Sequence, residues 1–397
     1  MLPFSPDSDE SVFQEFPAAA AVFLLRGDGE PYVSKTANLR RRMQRLLGRP
    51  AEHSRRLNLR ARVREIEFTA TGSDFESQVV LYRLLRANFP KTYAARLRLR
   101  PAPLVKLHLE NEYPRASVTT RLGRLSPQVS NLYYGPFPSR AAAEKFASDA
   151  LDFFKMRRCV DDLHPDPAFP GCVYSEMKMC LAPCFKGCSD AAYHAEVARV
   201  RAFFDTAGES LARELGEQRE RASAETAFEE AAAIHTRIEK LQPVLAQLPE
   251  IVRNIDHLDA IIIQPSAEPG AVSLFRFQNA QMIGPVLFRI ERHLEAPDSP
   301  AVQIQSARPQ SMESRVEAVI YSLGPPQADS AAARVEHLAI LKRWYYRSHR
   351  VGEIFFADDK GSWPLRRMVR GIGRVYKGEN SQAPTAFPLT EAPSSPS

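Results

Sequence analysis

The apolar run Ala20-Ala-Val-Phe-Leu-Leu25 is followed by Gly27-Asp-Gly29 and then by Pro31-Tyr-Val33. A short apolar run closed by a glycine turn predicts a buried strand, a hairpin and a second strand. Asn38 then suits a helix cap: behind it Leu39, Met43, Leu46 and Leu47 share one helical face, and arginines occupy the other. A strand at Val63–Thr69 and a helix at Glu76–Phe89 come next, and Ser139 predicts the cap of a helix from Arg140 to Met156. Val197, Val200 and Phe204 mark the apolar side of another helix, which Gly208 is expected to end. The helix over 225–241 carries Ala227, Ala231, Ile234, Ile238 and Leu241 at 4-3-4-3 spacing. That spacing belongs to a helix packing on a second helix, and Pro243 is expected to stop it. Strands follow at 260–264, 272–277 and 283–290, with Gln278-Asn-Ala280 as a turn, then helix 331–348, strand 353–357 and helix 363–374.

Both ends are polar and rich in Ser and Pro, so disorder is expected over 1–16 and 379–397. The 397 residues exceed what one core usually organises, which predicts several domains. A formal charge of +6 leans toward a polyanionic partner. Arginine density is highest at Arg40, Arg41, Arg42, Arg45, Arg49, Arg55, Arg56, Arg60, Arg62 and Arg64, and Arg40, Arg41 and Arg45 are the candidate DNA contacts. A second basic stretch, Arg343 to Arg374, is interleaved with Trp344, Tyr345 and Tyr346, and either stacks bases or packs its aromatics inward. No run approaches the roughly 18–20 apolar residues that span a bilayer. The short run at 18–25 follows acidic residues rather than basic ones, unlike a signal sequence, so a cytoplasmic location without membrane contact is expected.

All five cysteines fall between Cys159 and Cys188, in the order Cys159, Cys172, Cys180, Cys184, Cys188. In a reducing compartment such clustering favours metal ligation over disulfides. Spacing alone leaves zinc and an iron–sulfur cluster equally open.

The opening hairpin and its arginine-bearing helix resemble a GIY-YIG nuclease domain. Ala21-Val-Phe23 stands at the GIY position, Tyr32-Val-Ser34 at the YIG position, and Lys35-Thr-Ala-Asn-Leu-Arg-Arg-Arg42 continues as in the excinuclease version. With Tyr133-Tyr-Gly-Pro-Phe-Pro-Ser139, the cysteine stretch and the helix at 225–241, the chain resembles the UvrC excinuclease family from about Pro17 to Arg289. That family acts in bacterial nucleotide excision repair. The resemblance implies an α+β multidomain protein: a GIY-YIG-type α/β domain (17–97), connecting strands and helix (98–158), a cysteine cluster region (159–188), a helical region with a UVR motif near 222–245 (189–250), and a C-terminal mixed α/β region (255–378). The family's RNase H-like nuclease and helix-hairpin-helix modules are not expected in this length of chain.

Residue by residue, the resemblance implies catalytic roles for Tyr32, Lys35 and Arg42. Two positions depart from the pattern: Phe23 replaces the first tyrosine, and Leu81 falls where the metal-binding glutamate belongs. Mg²⁺ is a hard cation that needs oxygen ligands, and neither Asp74 nor Glu76 is a simple substitute. Incision is therefore expected to be weak or lost, with Mg²⁺ required only if the site cuts. The resemblance also implies a [4Fe–4S] cluster on Cys159, Cys172, Cys180 and Cys184, with Cys188 as an alternative last ligand and zinc as the alternative metal. Through the UVR motif it implies docking on the excinuclease protein UvrB or a similar UVR-bearing protein, by Phe228, Ile234 and Ile238. Two competing readings remain: an active structure-specific endonuclease, and a non-catalytic interaction module.

Overall fold

Aromatic side chains decide the fate of the N-terminus. The computed structural model describes residues 2–49, 56–123, 131–160, 162–290, 311–326 and 330–379. A short strand β1 (Leu2–Pro3) leads into a 3-10 helix at Glu10–Glu15 capped by Asp9. This corrects the expected disorder of 1–16: Phe4, Phe13 and Phe16 are buried and supply the apolar area that the polar composition hides.

Strands β2 (Ala21–Gly27) and β3 (Tyr32–Thr36), helix α1 (Leu39–Leu47) and strand β4 (Val63–Ala70) complete the first unit. Its antiparallel sheet has the order β1-β4-β2-β3, with Leu25 opposite Tyr32 and Phe23 opposite both Ser34 and Phe68. Asn38 caps α1 as expected, accepting from the Arg41 amide at 2.9 Å. Alternation along β2 sends Phe23 and Leu25 to the face covered by α1 and the N-terminal aromatics. Val22 and Leu24 point to the other face, against which helix α2 (Asp74–Asn88) runs, followed by α3 (Tyr93–Leu97).

The second sheet joins β5 (Leu104–Leu107), β6 (Ala116–Thr119), β7 (Leu132–Gly135) and β8 (Arg253–Asn254) in the order β6-β5-β7-β8. Helix α4 (Arg140–Leu151) lies on it and stops short of Met156, where the chain turns into the cysteine segment. That segment is irregular apart from α5 (Val173–Glu176) and a 3-10 turn at Pro183–Phe185. Helices α6 (Asp190–Asp205), α7 (Glu209–Ala224) and α8 (Phe228–Ala246) then bring the chain back to β8. Gly208, at φ +92°, closes the end of α6 as expected, its amide donating to the Phe203 carbonyl at 2.7 Å, and at once leads into α7. Helices α7 and α8 pack as a hairpin. Pro243 does not stop α8: it sits in the last turn, which burial of Val244 holds on the core.

The third sheet has the order β11-β10-β9-β12, from β9 (Asp259–Pro265), β10 (Ala271–Gln278), β11 (Gln281–Arg289) and β12 (Glu353–Phe356). Asn279 and Ala280, at φ 51° and 60°, form the expected turn between β10 and β11. One sheet face packs on α9 (Met312–Ser322), which sequence patterning missed, and on α11 (Leu365–Tyr376). The opposite face meets α2 and α10 (Ala331–Tyr345).

A continuous apolar core therefore runs from α2 through the second sheet and helices α6–α8 to β10 and α10. The Phe75 ring of α2 lies 5.1 Å from Phe275 and 5.1 Å from Trp344. Gly72, just before α2, approaches the third sheet so closely that a Cβ would sit 2.2 Å from the Pro265 carbonyl oxygen. The unit at 17–97 thus closes one core of its own on the α1 side and shares its α2 side with the C-terminal region. The expected tail at 379–397 lies, from 380 on, outside the described residues. No helix among the described residues is long and apolar enough to cross a membrane.

Candidate nucleic-acid interface and cysteine segment

The β2–β3 hairpin and α1 bring Tyr32 and Arg42 together: Arg42 Nη2 donates to the Tyr32 hydroxyl at 2.9 Å. Phe23 lies behind them, fully buried, its ring 6.0 Å from that of Tyr32. Arg42 Nε is buried and makes no hydrogen bond among the described residues. Beside this pair opens a groove of about 700 Å³, lined by Thr36, Ala37, Asn38, Arg41, Arg42, Arg45, Leu46, Arg56 and Leu57. Its charged lining is all guanidinium, a chemistry suited to bidentate phosphate contact.

Other predicted residues go elsewhere. Lys35 alternates to the far face of β3 and binds Asp74 at the start of α2. Leu81 is half-buried in the main core, which Val33 of the same sheet face also joins. Neither therefore joins Tyr32 and Arg42. Arg40 is a staple rather than a groove residue, donating to the carbonyls of Phe16 at 2.8 Å and Gln14 at 3.2 Å. Arg60 does similar work, buried and donating to Pro6 and Leu47 carbonyls, each at 2.7 Å. Density along the sequence gives no way to separate such staples from exposed guanidiniums, because most of the carbonyls they bind, those of Pro6, Gln14 and Phe16, belong to a segment expected to be disordered.

Asp74 is bonded twice, by Lys35 and by Arg347 at 2.7 Å. Burial works upward on its carboxyl, but the hydrogen bond and charge of Lys35 and the charge of Arg347 hold it below its ordinary range. Glu76 is buried, accepting from the Gly72 amide at 2.8 Å and from Ser273 Oγ at 3.2 Å, and burial raises its pKa. It fastens α2 to β10 and faces no open site. Sequence reasoning missed this pairing, since Ser273 is 197 residues distant.

The aromatics of the second basic stretch turn inward. Trp344 and Tyr345 are buried, and the Tyr346 hydroxyl donates to the Pro136 carbonyl at 2.8 Å, so none is free to stack on a base.

The five cysteines are unpaired thiols, all partly buried. Lys178, Ala182 and Lys186 adopt left-handed backbone, at φ 56°, 57° and 58°, and bend the chain around Cys180 and Cys184. Arg157 Nη1 approaches Cys159 Sγ at 3.4 Å, and the Ala182 amide donates to Cys180 Sγ at 3.3 Å. Burial pushes the Cys180 thiol up to about 11, with Cys159, Cys184 and Cys172 adding to it. Burial likewise raises Cys184, seconded by Cys172 and Cys159. Cys188 is raised by burial, then by Asp190 and Cys184. Cys159, Cys172 and Cys184 therefore all lie within electrostatic reach of Cys180. Among the described residues, however, no three Cys, His, Asp or Glu side chains are placed to hold a single metal ion.

On α8, Ile234 is buried and Ile238 half-buried against the core to which α7 contributes, while Phe228 is 69% exposed. The 4-3-4-3 stripe is thus used within the chain, and of the three expected docking residues Phe228 is the exposed one.

Residues 103–203 match the family model for the UvrC/Cho excinuclease middle domain. That span covers β5 to α6 and includes all five cysteines. Among curated proteins, the chain is 27% identical to UvrABC system protein C of Alkalilimnicola ehrlichii over 67% of its length. It is 25% identical to that of Desulforudis audaxviator over 68%, and 27% to that of Natronomonas pharaonis over 72%. The chain spans less than half of each of these relatives, 43%, 43% and 49%. No solved structure gives a significant match. The comparisons relate this chain to the UvrC family of excinuclease proteins, through its middle segment and over about two thirds of its length.

Proposed function

We propose that the protein is a DNA-binding, UvrC-like protein of nucleotide excision repair type, whose GIY-YIG-like unit holds the phosphate backbone but cuts poorly or not at all. The observation that carries this reading is the guanidinium-lined groove beside Tyr32 and Arg42, combined with Leu81 in the core on the other sheet face. Phosphodiester cleavage needs an activated water and a cation on the non-bridging oxygens. Here a tyrosine and an arginine remain to bind and orient a phosphate, Phe23 lacks the hydroxyl of a second tyrosine, and leucine cannot ligate Mg²⁺. DNA affinity should fall steeply with salt, the slope of log K against log salt reporting the phosphates neutralised. Arg41→Ala together with Arg45→Ala should flatten that slope by about 2. Binding indifferent to salt or to both substitutions would remove the claim.

Cys159, Cys172, Cys180 and Cys184 are proposed to hold a [4Fe–4S] cluster. What supports this set is that Cys159, Cys172 and Cys184 all lie within electrostatic reach of Cys180, and four clustered thiols are the donor set such a cluster takes. When bound, the group would fix the irregular segment between α4 and α6; no chemistry on DNA is assigned to it. A second reading, docking of the α7–α8 hairpin on a UVR-bearing protein such as UvrB, is favoured by the exposed Phe228 at the start of α8.

A further inference from the structure

Cationic side chains near the end of α10 reach, through Asp74 and Lys35, the edge strand that also borders the arginine groove. Arg343 lies in the last turn of α10 and Arg347 just beyond its cap, both exposed. With Asp74 they line one small cleft, and Arg347 Nη1 is 2.7 Å from Asp74 Oδ2. The other oxygen of Asp74 takes Lys35 Nζ. Strand β3 is the edge of its sheet. Thr36, at its end, lines the arginine groove, and Lys35, its neighbour, holds Asp74. Thr36 and Lys35 point to opposite faces of β3, so the two cationic surfaces lie on either side of that edge strand and meet across its open edge. Their relative position is fixed by Phe75, wedged between Phe275 and Trp344. Asp74 is the one carboxylate among the described residues lining either cleft, and two cations already neutralise it.

We propose that Arg343 and Arg347 continue the groove, so that the C-terminal unit supplies the second half of a track for the DNA phosphate backbone, with Asp74 as a brake on its affinity. This rests on the groove binding DNA at all. A duplex suits the track because its phosphates repeat at fixed spacing along a strand, whereas a single strand would be held by stacking on aromatics, and Trp344 and Tyr345 are buried. Asp74 opposes binding by engaging Lys35 and Arg347, which phosphate would otherwise have to itself.

The test is fluorescence anisotropy of a labelled random-sequence duplex with the full chain across a salt series. Arg343→Ala should flatten the salt slope by about 1 and weaken binding several-fold at low salt. Asp74→Asn should strengthen binding and steepen the slope. Arg366→Ala, on exposed α11 across the third sheet, should change neither. If the unaltered protein binds and the Arg41/Arg45 change weakens it while Arg343→Ala matches Arg366→Ala, the extended track is overturned and the groove stands. Should the unaltered protein show no salt-dependent binding, the groove reading falls and the extension with it.

Discussion

Arg42 lines the groove and makes one side-chain hydrogen bond among the described residues, to Tyr32, while its Nε is buried without a partner there, so this guanidinium is held with unused donor capacity. Burying a charged donor without an acceptor is costly, and an arriving phosphate oxygen offsets that cost. Tyr32→Phe leaves Nη2 unpaired as well, and should lower stability by about 1–2 kcal/mol in urea unfolding. A neutral result would mean that water replaces the hydroxyl. His108 carries the pH prediction. Burial, then the charges of Lys106 and Arg115, outweigh the opposing Glu110 and depress its pKa from 6.5 to about 4, and Arg157 adds to them, while Ser117 Oγ lies 2.7 Å from its ring. A base with a depressed folded pKa contributes stability present above the unfolded value and lost as pH falls through the folded one. Stability should therefore decline as pH drops from 6.5 toward about 4, and His108→Gln should flatten that part of the profile. An unchanged profile would place the acid sensitivity elsewhere.

At the scale of elements, the α7–α8 hairpin separates two kinds of apolar residue that share one helix in the sequence. Ile234→Asp puts an unpaired carboxylate into the core and should destabilise the protein by about 3 kcal/mol or more. Phe228→Ala, at a 69% exposed position, should leave stability unchanged and weaken capture of UvrB in a pull-down. Equal pull-down by the parent and Phe228→Ala would remove that reading. Much of this level was legible in the chain. The β2–β3 hairpin, the Asn38 cap, α1 and the β10–β11 turn all follow from local periodicity and turn chemistry. What local pattern could not reveal was burial supplied from far away. The polar 1–16 segment folds because three phenylalanines find a core, and α8 passes Pro243 because Val244 is held down. Likewise, nothing near Lys35 or Arg40 in sequence tells which cation is tied up by Asp74 or a distant carbonyl.

For the molecule as a whole, α2 is the element on which the two ends of the chain meet. The proposed GIY-YIG likeness would put a metal ligand on this helix, and here Phe75, Glu76 and Tyr82 commit it to the C-terminal sheet and α10. Commitment of this helix to packing agrees with a leucine at position 81 and with a binding surface that extends onto α10. The proposed cluster belongs to the same scale: protein purified without oxygen should be brown, and Cys159→Ser should bleach it, while colourless protein with stoichiometric zinc would contradict the assignment. A groove that holds DNA without an intact cutting centre is tested most directly by scoring binding and nicking together. Labelled branched duplex would be incubated with the full chain and Mg²⁺ or Mn²⁺ at low salt, with bound and nicked fractions read from the same sample. The expected result is a large bound fraction with nicking no higher than in protein-free controls. Nicks that depend on the metal and disappear with Tyr32→Phe or Arg42→Ala would contradict it.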